Sequence, residues 1–158
     1  MGPIRRLAAL GLRITAALAF MAPLLTRLVI GVGLHYTGHG KLMNLEKTTA
    51  FFTDLGIPMP GFNAVFVSGL EFVGGLCILL GLGTRIFSAL LSFSMTVALL
   101  TADRGTFAEK FPGDLTDVAS FVYLLFLIWL VLFGPGPLSL DYFLSKWLGV
   151  DKKVEESS

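Results

Sequence analysis

Residues Leu24–Met43 read LLTRLVIGVGLHYTGHGKLM. A run of this length carries an α-helix across the roughly 30 Å hydrocarbon core of a bilayer. Its two fixed charges, Arg27 and Lys41, fall near its ends, where long side chains are expected to snorkel toward the headgroups. His35 and His39 fall inside it, one helical turn apart and so on one face. Ionisable groups in hydrocarbon are costly, and they mark the first place to look for a site.

Outward from this stretch, three more apolar runs of comparable length follow, at about 62–82, 86–102 and 118–133. The 158 residues are 54% hydrophobic and only 15% charged, with a mean hydropathy of +0.79. The pattern predicts an all-α membrane protein: a four-transmembrane-helix bundle over 24–134 with N- and C-terminal interfacial amphipathic helices. Residues 44–61 are too polar to cross. Leu45, Phe51, Phe52 and Leu55 among polar neighbours predict a short interfacial helix, which GIPMPG (Gly56–Gly61) stops with its two prolines. GLGTR (Gly81–Arg85) reads as a tight turn, Asp103–Asp117 as a polar loop, and GPGP (Gly134–Pro137) as the end of the last span.

Residues 1–23 carry Arg5, Arg6 and Arg13 among apolar residues and read as a basic amphipathic helix on the membrane surface. Arg13 interrupts the apolar core that a cleaved signal peptide would need. Pro23 is expected to break this helix before the first span. Residues 135–150, with Tyr142 and Trp147, suit the C-terminal interface, and 151–158 read as a disordered tail. A formal charge of +1 without a basic cluster excludes a nucleic-acid partner. Eight of the twelve Lys and Arg residues fall on the side of the termini, which predicts a multi-pass protein of a bacterial-type cytoplasmic (inner) membrane with cytoplasmic N and C termini.

Depth brings the polar residues of the spans together. Counted inward from the outer ends of the spans, His39 lies about 6 Å deep, Tyr123 about 8 Å, Thr96 about 10 Å, His35 about 12 Å and Glu71 about 14 Å. A carboxylate at mid-membrane costs roughly 3 kcal/mol and must find a partner or stay protonated. Glu71 is therefore open to proton carriage, ligand holding, metal ligation, or a structural role tying two spans together. His35, His39 and Glu71 form a weak two-histidine, one-carboxylate metal candidate; a hydrogen-bonded core histidine is the commoner outcome. A bis-His haem within one chain is not expected, because both imidazoles share one helix face. Cys77, the one cysteine, permits no intrachain disulfide and reads as a packing residue.

These pieces, in order, resemble the DoxX-like (DoxX/DoxD) family of four-helix integral membrane proteins. The likeness covers roughly residues 24–145. It rests on R-x(3)-G at Arg27–Gly31, HGKL at His39–Leu42, LGIPMP at Leu55–Pro60, E-x(2)-GG at Glu71–Gly75, GLGTR, and GPGPLSLD at Gly134–Asp141. The resemblance implies a four-helix membrane protein. It also links the chain to relatives associated with thiosulfate oxidation coupled to quinone, and to a mycobacterial membrane complex containing a sulfurtransferase and a superoxide dismutase. It picks out His39, Lys41, Glu71, Arg85 and Asp141 as polar motif members, with Arg27, Arg85 and Asp141 as structural candidates. Quinone-linked thiol oxidases of similar size use cysteine pairs, which this chain lacks.

The expectation is a subunit of a membrane redox system that binds a quinone or lipid-like ligand in an outer-half polar cavity. His39, Glu71, His35, Lys41, Tyr123 and Thr96 are its ligand-binding or proton-handling candidates, with His39–Glu71 the foremost pair. The alternatives are a non-catalytic membrane scaffold or assembly partner, and a small metal- or solute-handling protein. The partners implied are the lipid bilayer, redox-protein subunits and a possible homo-oligomer.

Overall fold

The computed structural model describes residues 3–149. The described chain is helical throughout, without strands: α1 (Pro3–Leu18), α2 (Met21–Met43), α3 (Leu45–Asp54), α4 (Pro60–Leu80), α5 (Thr84–Leu100), α6 (Arg104–Lys110), α7 (Ala119–Phe133) and α8 (Leu140–Leu148), with a 3₁₀ turn at Leu115–Asp117. The expected tail at 151–158 lies outside the described residues.

The N-terminal helix is interrupted at Ala19 and Phe20, one turn before Pro23, where the proline ring crowds the i−4 carbonyl and offers no N–H to bond it. Pro23 itself occupies the first turn of α2. The first N–H groups of a helix have no intrahelical acceptor, so a proline costs little there. The segment read as a polar loop at 103–117 contains α6, which leaves α5 at a 76° bend.

Two helices, Ala9–Met43 (with its interruption) and Pro60–Leu80, are long and apolar enough to cross a membrane. The 17 residues of α5 and 15 of α7 rise only about 26 Å and about 23 Å. The protein is thus an all-α membrane protein in which two crossings meet the length criterion, a third is reached only if α5 and α6 form one bent span, and α7 falls short.

The helices alternate in direction. The start of α2, the end of α4, the start of α5 and the loop after α7 all gather at one end, joined by hydrogen bonds of Arg27 and Asp141. Packing is in two pairs, α2 along α4 and α5 along α7, joined through α4–α5 and α2–α7. Between them lies a core of Ile30, Leu34, Ile78, Leu91, Met95, Leu127 and Leu130. Many large apolar side chains point outward instead, among them Val29, Phe93, Ile86 and Leu132. Water would not tolerate so apolar an exterior over a whole bundle; lipid does.

The α2–α4 seam is built on missing side chains. A Cβ at Gly38 would strike the backbone of Phe72 and Glu71, and one at Gly75 the backbone of His35 and Gly31. In lipid no hydrophobic drive holds helices together, so close backbone approach of this kind carries the association. Gly40, by contrast, faces open space. We expect Gly75→Ala to destabilise the bundle by about 1–3 kcal/mol, because backbone cannot move aside as a side chain can. Gly40→Ala should be neutral or slightly stabilising by helix propensity. Unfolding titrations in mixed detergent micelles check the contrast.

Candidate functional site

Side chains on a helix lean toward its N-terminus. Near the end of α2, Lys41 therefore leans into the bundle. Glu71, on the antiparallel α4, leans toward the same end from below. They meet: Lys41 Nζ lies 2.6 Å from Glu71 Oε1 and 2.8 Å from Oε2. Thr37, one turn before Lys41 on α2, offers its hydroxyl to Oε2 at 3.4 Å. The Glu71 side chain is 2% exposed, whereas that of Lys41 is 37% exposed. The pair thus has one member inside the bundle and one at its surface. The expected snorkelling of Lys41 away from the bundle is corrected: an ammonium that can reach a buried carboxylate gains more by pairing than by leaving.

The end of α3 nearest α2 covers this position. Thr48 is buried, and its hydroxyl donates to the carbonyls of Asn44, at 3.0 Å, and Lys41, at 3.3 Å.

The foremost pair expected from sequence, His39–Glu71, is not brought together. His35 and His39 lie on the other side of the seam, against Phe72. The His35 ring stacks on Phe72 with centroids 4.3 Å apart, and its Nδ1 lies 2.9 Å from the Phe72 carbonyl, to which it donates, leaving Nε2 as the open nitrogen. His39 is exposed, with its ring 6.0 Å from that of Phe72. Glu71 faces Lys41 and Thr37 instead, and among the described residues no three His, Cys, Asp or Glu side chains gather as a metal site. The weak metal set His35–His39–Glu71 is therefore not assembled.

Thr96 donates to the Ser92 carbonyl of its own helix at 2.8 Å, so its hydroxyl is already engaged. Tyr123 is half-buried in the core, with its hydroxyl against Gly33 of α2 and within electrostatic range of Glu71. Thr37 is the member that sequence reading missed; its spacing of one turn from Lys41 was the available signal.

The opposite end carries the three structural candidates. Arg27 does not snorkel outward. It is 3% exposed. Its Nε donates to the Ile78 carbonyl at 3.0 Å and its Nη2 to that of Leu79 at 3.0 Å, while Nη1 reaches the carbonyls of Pro135 at 2.9 Å and Leu138 at 2.8 Å. The last carbonyls of a helix lack intrahelical donors, and a guanidinium fork supplies several at once. Gly81 closes α4 in the left-handed conformation, φ +73°, packed against the Arg27 guanidinium and Ser139, where no Cβ fits. Asp141 accepts from the backbone N–H of Gly83 at 2.7 Å and of Thr84 at 2.9 Å, satisfying donors at the start of α5. Arg85 is exposed at the rim of this cluster.

Two open pockets flank the bundle. One of about 470 Å³ is lined by Met43–Lys47 and Ala50, near the Lys41 end. The other, of about 600 Å³, lies at the Arg27 end, between α5, α8 and the 135–139 loop. The outer-half cavity expected around Glu71 is instead occupied by the Lys41 side chain.

A glycine-seamed helical membrane protein with one interior ion pair is thereby defined. The chain belongs to the DoxX family, whose model matches residues 22–104. It is similar to a Bacillus subtilis (strain 168) protein named "Putative oxidoreductase CatD", at 33% identity over 78% of this chain and 87% of that protein. It is also similar to "Inner membrane protein YqjF" of Escherichia coli (strain K12), at 31% identity over 78% of this chain and 92% of that protein. No solved structure matches it.

Both clusters yield measurable consequences. Lys41→Met strands a buried carboxylate and should cost about 2 kcal/mol, less than the 3–5 of a fully buried pair because Lys41 is part-exposed. The double change Lys41→Met with Glu71→Leu should recover most of that loss in detergent unfolding. Arg27→Lys keeps the charge but not the fork. It should lower stability by about 2–3 kcal/mol through carbonyls left unsatisfied, measured in the same assay.

Proposed function

We propose that this DoxX-family membrane protein is a subunit of a membrane redox system, and that the Lys41–Glu71 pair is where a quinone or lipid-like ligand engages it. The observation that carries the reading is the asymmetry of the pair, a buried carboxylate held by an ammonium that reaches the surface. A ligand carbonyl arriving beside Lys41 would accept a hydrogen bond from Nζ and loosen its hold on Glu71. The freed carboxylate would then take a proton. Thr37 would hold the carboxylate and Tyr123 would wall the site from the α7 side. The oxidoreductase in the name of the Bacillus relative supports the redox part of this reading. The inner membrane in that of the Escherichia relative supports placement there. With four crossings and cytoplasmic termini, the arrangement that the Lys and Arg distribution favours, the Lys41 end would lie on the outer face.

Extraction of the protein purified from native membranes, followed by chromatography of the lipid fraction, should return a quinone near one per chain in wild type and less than a fifth of that in Glu71→Gln. Absence of any quinone, together with no quinone-dependent activity in the membranes, overturns the reading. A second reading, a non-catalytic assembly partner, draws on the Arg27 cluster, whose hydrogen bonds are all structural. It expects Glu71→Gln to reduce recovery of a co-purifying subunit while leaving turnover per complex unchanged.

A further inference from the structure

The pocket at the Arg27 end has contents that the redox reading does not use. Its wall includes Arg85, Ile86, Pro135, Asp141 and Tyr142 around an open space of about 600 Å³. Two charged groups share it, and they do not pair. Asp141 is spent on the backbone N–H groups of Gly83 and Thr84. Arg85 is exposed and, among the described residues, makes no ion pair or side-chain hydrogen bond. The guanidinium lies against Gly134 at the pocket's edge, and it carries five donors.

Its surroundings are those of a membrane surface. Ile86, one residue on, is 67% exposed on the flank of α5, where lipid tails would lie. On the other wall, α8 presents Phe143, Trp147 and Leu148 outward with Lys146 among them, as an interfacial helix does. A pocket whose carboxylate is engaged by backbone N–H groups and whose arginine has no anionic partner, with an apolar wall descending from it, suits one chemical class. We infer that this pocket binds the phosphate-bearing headgroup of an anionic phospholipid, with Arg85 on the phosphate, the Tyr142 ring over the glycerol, and an acyl chain along Ile86. Neighbouring Lys146 adds to the preference for anionic over zwitterionic lipid.

Native mass spectrometry of the full-length protein tests this, after exchange into micelles with equimolar phosphatidylglycerol and phosphatidylcholine. Wild type should retain phosphatidylglycerol in preference to phosphatidylcholine by about fivefold, the scale of one arginine at a charged membrane surface. Arg85→Gln should lose that preference and Arg85→Lys should keep most of it. Equal retention of the two lipids by wild type overturns the proposal whether or not the variants fold. So does an Arg85→Gln variant, helical by circular dichroism, that keeps the preference. Displacement of the lipid by millimolar inorganic phosphate would assign the pocket to a soluble anion and overturn the lipid assignment as well. None of these outcomes depends on quinone at the Lys41 end.

Discussion

The backbone contact between α2 and α4 is the constraint on which the rest depends. Gly31, Gly38 and Gly75 let two antiparallel helices approach until backbone meets backbone. At that distance the register between them is set by collision, and a shift of one residue would drive His35 or Phe72 into the facing helix. Everything polar follows from the register. Lys41 stands over Glu71, and Arg27 stands beneath the last carbonyls of α4, because both are carried on the same rigid face of α2.

A second constraint is that no backbone or charged group in hydrocarbon can turn to water for a partner. The two ends of the α2–α4 pair meet it differently. At the Arg27 end the cation is fully enclosed and its donors are distributed over four carbonyls from two segments, so it fastens the loop after α7 to the end of α4. At the Lys41 end the cation has a single carboxylate and remains partly exposed. The first arrangement commits four of the guanidinium's five donors to backbone carbonyls. The second can open by moving one side chain.

The helices were legible because their signals are local. Apolar length, the prolines of GIPMPG and the glycines of GLGTR located α2, α4, α5 and α7 to within about three residues of their observed ends. Pairing was not legible, because depth was counted at the Cα while side chains act some distance from it. Lys41 lay outside the polar layer on that count and reaches Glu71 only because its side chain leans toward the start of α2. His39 fell inside the layer and points to the far side of the seam. Arg27 misled for a related reason: a residue in a first turn is ordinarily close to headgroups, but here the end of a neighbouring helix and a proline-rich loop arrive first.

The four orphaned hydroxyls refine this picture of the interior. Ser68, Thr84, Ser88 and Ser120 are buried and, among the described residues, have no hydrogen-bond partner. Small residues are favoured at membrane helix contacts for their size, and a serine there costs little more than an alanine when its hydroxyl can turn to its own helix carbonyl. Ser92 and Thr96 do turn that way, along the outward half of α5. Ser68 sits one turn from Glu71 on the same face of α4, so its unpaired oxygen is the nearest polar atom along that helix on the side away from Arg27. On the Arg27 side the same face of α4 carries only Gly74, Gly75 and Ile78. The polarity of the interior is therefore graded along α4, with its buried polar side chains toward the Lys41 end.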